Sequence, residues 1–143
     1  MRCRSVPGDV YYAGPEQAWE YDNLTALWAP DLDHNPAALA TVTKGGYFAA
    51  QPLPGLTVLS LNINYWVTMN SQATSNTTLA HAEGVAQFEW LAAELAAAAA
   101  RKDAVHILGH QPPTAEPGSR SWLPGYYAKF SALCGVHKEI IKG

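Results

Sequence analysis

An α/β fold is the architecture this sequence predicts, with a mixed sheet flanked by helices in one domain over residues 1–143. Three observations predict it. A nearly continuous apolar run over 56–62 reads as a central strand covered on both faces. A helical pattern follows over about 79–101, and a short buried strand over 104–109 comes next. Strand, long helix, strand is a crossover connection, which favours parallel pairing.

The remaining elements are placed in order around that unit. Residues 14–30 read as a helix, with Pro15 at a first helical position, Trp19, Leu24, Leu27 and Trp28 at roughly helical spacing, and Pro30 as the stop. A polar stretch follows over 31–43, with a short helix over 36–39. Gly45-Gly46 leads into Tyr47-Phe48-Ala49-Ala50, and the turn Pro52-Leu53-Pro54-Gly55 joins that run to the strand over 56–62, which is a hairpin signal. Residues 63–78 are polar and aromatic without a period, so they read as a loop, and a long one. In the helix over 79–101, Val85, Phe88, Leu91 and Leu95 form the packing stripe, and Arg101 and Lys102 lie at the negative end of its dipole. His81 and Glu83 near its start read as surface residues. After the strand over 104–109, a loop containing Glu116 and Trp122 leads to a terminal helix over 126–142. No strand follows that helix, so the sheet reads as unfinished.

Composition narrows the function classes. Hydrophobic residues make up 48% and charged residues 15%, a globular balance. The net charge is -3 with no run of Lys or Arg, so no nucleic-acid partner is expected. No window is apolar and long enough for a transmembrane segment. The start, Met1 to Gly8, is basic without an apolar stretch behind it and does not read as a signal peptide. Asn23-Leu24-Thr25 and Asn76-Thr77-Thr78 are glycosylation sequons, making Asn23 and Asn76 candidate acceptors. Cys3 and Cys134 do not define a disulfide framework and read as free thiols, Cys134 buried on a helix.

The strongest chemical signal is Gly109-His110-Gln111-Pro112-Pro113 directly after a buried strand. Sites in α/β proteins form beyond the carboxyl ends of strands. Imidazole there is a good ligand for zinc and similar metals, and Gly109 lets the backbone pass close to whatever is bound. Asn62, Asn64, Tyr65 and Trp66 follow the central strand and are candidates to line a substrate mouth, with strand-end capping and packing as the alternative. Trp122, Tyr126 and Tyr127 offer aromatic faces for a lipid head group or, equally, for packing the terminal helix. His106, four residues before His110 on the same side of the strand, reads as buried and hydrogen-bonded. No serine-nucleophile elbow, P-loop or dinucleotide fingerprint is present.

Taken together, several pieces resemble the acid sphingomyelinase-like phosphodiesterases, a branch of the calcineurin-like metallophosphoesterases. They are Gly45-Gly46-Tyr47-Phe48, the run from Pro54 to Trp66, Gln87-Phe88-Glu89-Trp90-Leu91 with Glu94-Leu95, the run from Val105 to Pro113, and Trp122 with Tyr126-Tyr127. Order and spacing agree over roughly residues 19–143.

The resemblance implies part of a metallophosphoesterase sandwich, with the N- and C-terminal strands of the full fold missing. It implies a zinc-dependent, two-metal hydrolase acting on a phosphodiester through metal-activated hydroxide, the substrate being a sphingomyelin-like phospholipid or a nucleotide derivative. It implies an extracellular or lysosomal/vacuolar setting for the parent family. Gly109-His110 matches the family's Gly-His motif, which implies His110 as a metal ligand.

The family's D-x-H, G-N-H and G-H-x-H motifs have no counterpart here. Asp31-Leu32-Asp33-His34 reads as a solvated loop, and Gly135-Val136-His137 falls inside the terminal helix. The cysteines that human-type members carry around the asparagine loop and after Gly-His are also missing, so no disulfide carries over. One histidine cannot hold two metals, so the chain by itself is expected to be inactive. The alternative reading is a non-catalytic truncated product or binding module.

Overall fold

The computed structural model describes residues 18–70, 73, 79–113 and 121–143. The first helix, α1 (Ala18–Trp28), is shorter than its pattern suggests at the C-terminal end, and residues 14–17 of the expected helix lie outside the described residues. Asp33 and His34, both at positive φ (50° and 52°), turn the chain from α1 toward the next helix.

That helix, α2 (Pro36–Gly45), runs well beyond the expected 36–39. Asn35 caps it by accepting from the N–H groups of Ala37 and Ala38, Pro36 opens it, and Ala-rich sequence propagates it. Gly46, at φ 71°, stops it with its N–H on the Val42 carbonyl. The glycine pair therefore terminates a helix, a use of left-handed backbone that the hairpin reading overlooked. Leu24 and Trp28 of α1 pack on Val42, Ala38 and Leu32 in a small core of their own.

Strand β1 (Phe48–Leu53) runs antiparallel to β2 (Leu56–Ser60), pairing Phe48 with Ser60 and Ala50 with Val58. Gly55, at φ 79°, makes the turn. Helix α3 (Leu79–Arg101) crosses over to β3 (Ala104–Leu108), which pairs parallel with β2 from Leu56–Ala104 to Ser60–Leu108. The sheet order is β1-β2-β3, so β2 is central as its apolar run requires. The main core joins Leu59 and Val105 of the sheet to Leu91, Leu95 and Ala98 of α3. Fully burying each leucine contributes about 1.5–3 kcal/mol.

Helix α4 (Pro124–Val136) ends earlier than the expected 142. Residues 137–140 turn, and Ile141 bridges Val105 in parallel. The Lys142 N–H donates to the Val105 carbonyl at 2.8 Å, and the Ile107 N–H donates to the Gly143 carbonyl at 2.6 Å. The last residues thus return to the β3 edge through one isolated bridge, where the terminal helix was expected to run on to 142. Among the described residues no helix is long and apolar enough to cross a membrane.

Candidate functional site

Parallel pairing brings the carboxyl ends of β2 and β3 side by side, and the loops that leave them are fastened together. The N–H of Thr68 donates to the Ser121 carbonyl at 2.8 Å, and the N–H of Leu123 donates to the Trp66 carbonyl at 2.7 Å. Val67 and Trp122 form an antiparallel bridge. The Ser121 hydroxyl donates to the Pro112 carbonyl. Trp122 Nε1 donates to the Gln111 carbonyl at 3.1 Å, tying the segment that carries His110 to the start of α4.

His110 is exposed, two residues past the end of β3. Its loop is aimed by Gly109, where a Cβ would meet Ile63 Cγ2 at 3.2 Å. The glycine at this position therefore serves close packing on Ile63. Beside the loop lies an apolar hollow of about 290 Å³ walled by Ile107, Pro113, Trp122, Phe130 and Cys134. Cys134 is a free thiol, half-buried, and burial pushes its pKa up. Cys3 lies outside the described residues.

Asn62 is held from every side. Its amide nitrogen donates to the Gly45 carbonyl at 3.0 Å and more weakly to the Tyr21 hydroxyl at 3.4 Å. Its side-chain oxygen accepts from the Asn64 N–H at 3.3 Å, so it caps the short 3-10 turn Ile63–Tyr65. Gln87, fully buried, accepts from the Asn62 N–H at 2.7 Å and donates to the Asn62 carbonyl at 3.0 Å. Sequence reading missed Gln87. The available signal was a polar residue beside Phe88 and Leu91 on the buried side of α3. Asn64 is exposed, and its carbonyl accepts from Asn70 Nδ2 at 2.8 Å.

Tyr65 and Trp66, candidates for a substrate mouth, and Trp122, a candidate face for a head group or for packing, all belong to the core. Tyr65 and Trp66 are fully buried and Trp122 is 2% exposed. The Tyr65 and Tyr21 hydroxyls share a hydrogen bond at 2.8 Å, and burial drives the Tyr65 phenol far above its ordinary value. Trp66 Nε1 donates to the Gly84 carbonyl at 3.0 Å. The Trp66 ring stacks on Tyr126 and meets Trp122 edge-on. The stretch after β2 lacks a period because it is a short turn plugged into the core by large side chains, so exposure did not follow from irregularity.

Other positions also differ from expectation. His106 is exposed rather than buried, because it alternates with Val105 and so points to the face of the sheet away from the α3 core. His81 and Glu83 are half-buried, and Glu83 approaches Lys44 at 3.8 Å. Asn23 is exposed on α1, whereas Asn76 lies outside the described residues. Tyr127 is half-buried and packs against the main core.

A metal pair is not accommodated by these residues. Among the described residues no three His, Cys, Asp or Glu side chains are grouped to hold an ion. The exposed polar groups at the strand ends are the His110 imidazole and the Asn64 amide. They can ligate or hydrogen-bond, but they cannot form a closed coordination shell.

No family model matches the chain. Individual relatives do. It is 41% identical over 126 residues to human sphingomyelin phosphodiesterase, covering 86% of this chain and 18% of the relative. It is 31% identical over 139 residues to sphingomyelin phosphodiesterase A of Dictyostelium discoideum, covering 97% of this chain and 22% of the relative. It is 32% identical over 103 residues to the human cyclic GMP-AMP phosphodiesterase SMPDL3A, covering 71% of this chain and 21% of the relative. The chain thus spans about a fifth of the length of these relatives.

Proposed function

This stretch of sequence is homologous to part of the acid sphingomyelinase-like phosphodiesterases, and from that premise we propose that it forms part of a phosphoric diester hydrolase in which His110 is a metal ligand. The observation that carries this reading is the position of His110. It is exposed two residues beyond the parallel β2–β3 pair, on the Gly-His step that matches the family, with its loop fixed by Trp122 and by Gly109 on Ile63. Relatives named for sphingomyelin and for cyclic GMP-AMP support a phosphodiester substrate, either a phospholipid or a nucleotide derivative.

The partial metallophosphoesterase sandwich, the zinc pair and the secreted or lysosomal/vacuolar setting are parts of the same proposal. So is glycosylation at Asn23, where an exposed side chain supports it. The zinc pair has one implied ligand here. The other ligands have no counterpart among the described residues, so the 143 residues by themselves are proposed to be inactive.

Two assays test this. The purified chain with added zinc is expected to leave a chromogenic phosphodiester intact, as is its His110→Ala variant. Replacing the matching stretch of human sphingomyelin phosphodiesterase with this one is expected to give a soluble hydrolase, and His110→Ala in that chimaera is expected to abolish turnover. A soluble chimaera whose activity survives His110→Ala would remove the ligand assignment.

A further inference from the structure

At the opposite end of the sheet from His110, α2 and α3 leave a groove of about 190 Å³ across β1. Its floor is made of small residues, Ala37 and Ala38 from α2 and Ala49 and Ala50 from β1. Trp90, Glu94 and Arg101 line it from α3. Positions 90, 94 and 101 are spaced i, i+4 and i+11, so they stack along one face of the helix. Arg101 and Glu94 are one and a half to two turns apart, about 10 Å along the axis.

The two charges in this groove are not equivalent. Arg101 Nε donates to Asp103 Oδ2 at 2.8 Å and Arg101 Nη2 donates to Thr57 Oγ1 at 3.0 Å, so its charge is neutralised inside the protein. Asp103 also accepts from Thr57 and Gln51. Glu94 has neither a hydrogen bond nor a basic group within ion-pair distance. Glu94 is half-buried one helical turn from Trp90 on the same face of α3, and the Trp90 ring is steadied by Tyr47 at a centroid distance of 4.8 Å. The groove as a whole therefore carries one uncompensated negative charge next to an aromatic ring. An aromatic ring and a carboxylate together attract a cation, and the alanine floor leaves room for an apolar body.

We propose that this groove is a binding site for a small organic ammonium ion, with the nitrogen against Glu94 and Trp90 and the alkyl portion over the alanine floor. The site lies at the amino ends of β2 and β3, so it acts apart from the strand ends that carry His110 and requires nothing of the hydrolase reading.

The test is an NMR titration of the 143-residue chain with n-butylammonium, read at the Trp90 indole, with 1-butanol and butyrate as matched neutral and anionic probes. Saturable shifts are expected for butylammonium alone. Glu94→Gln is expected to weaken binding about tenfold or more, the scale of losing one partly desolvated charge partner. Ala37→Leu, which fills the floor from the rim and leaves both charges in place, is expected to weaken it as well. Circular dichroism melting checks that both variants remain folded. Equal binding of butanol and butylammonium, no saturable shift at Trp90, or unchanged affinity in folded Glu94→Gln would overturn the proposal.

Discussion

Trp66 and Trp122 meet edge to face with ring centroids 5.1 Å apart, and through that contact the loop after β2 is locked to the loop after β3. Phe130 closes on Trp122 at 5.0 Å, and Tyr126 stacks on Trp66 at 5.5 Å. The His110 segment takes its position from this aromatic block, because Trp122 Nε1 holds the Gln111 carbonyl.

Trp122→Ala removes an almost fully buried indole and its hydrogen bond, and is expected to cost about 3–5 kcal/mol. Chemical denaturation gives the number. A loss below about 1 kcal/mol would mean that the loops are held by their backbone hydrogen bonds alone.

His110→Ala is expected to leave stability within about 0.5 kcal/mol, since the side chain is exposed and packs on nothing that the core needs. Thermal melts of the two proteins side by side check this. A large drop would assign His110 a structural task.

Gly84 is a point of close approach between α3 and its neighbours. A Cβ there would come within 2.8 Å of the Tyr126 hydroxyl and 3.2 Å of the Tyr65 backbone oxygen. Gly84→Ala improves helix propensity yet is expected to destabilise by about 1–3 kcal/mol, because the backbone oxygen cannot move aside. Equal or higher stability in denaturant would show that α3 can shift.

Arg101 beside Asp103, followed by the Thr57 and Gln51 hydrogen bonds, holds the Asp103 carboxyl below its ordinary value. A carboxylate whose folded value is depressed binds fewer protons folded than unfolded near that value. Its stabilising effect is therefore complete above the unfolded value of about 3.8–3.9 and is lost as pH falls through the folded one. Asp103→Asn is expected to lower the melting temperature at neutral pH and to flatten its decline in acid. Melts taken from pH 7 down to pH 2 compare the two slopes, and parallel curves would rule out this contribution.

Tyrosines give the opposite limb. Burial, with the Glu83 charge adding to it, pushes the Tyr47 phenol up to about 12, and burial also raises Tyr21 and Tyr126. Phenols with raised folded values hold protons that the unfolded chain has released. Their contribution is whole below about pH 10 and is lost as pH rises toward 12. Tyrosinate absorbance is expected to rise abruptly together with loss of near-ultraviolet dichroism. A smooth titration centred near pH 10 in a folded protein would contradict the burial of these rings.

Local chemistry made much of the fold legible. The run over 56–62 and the stripe of Leu91 and Leu95 each fix one element and its buried face, so β2, α3 and β3 follow from hydrophobic pattern alone, and their order implies parallel pairing. Gly109-His110 after a buried strand likewise marks the strand end at which a site can form. What the sequence could not decide depends on contacts between distant residues. Gly46 ends a helix because left-handed backbone is needed at that point, while the same dipeptide also suits a hairpin. Tyr65 and Trp66 are buried because Tyr21, Gly84 and Trp122, remote in the chain, converge on them. His106 is exposed because the face of β3 opposite Val105 is left uncovered at that position. Periodicity records which face of an element is apolar. Burial at an irregular turn or a sheet edge depends on what packs against it, and only the tertiary structure supplies that partner.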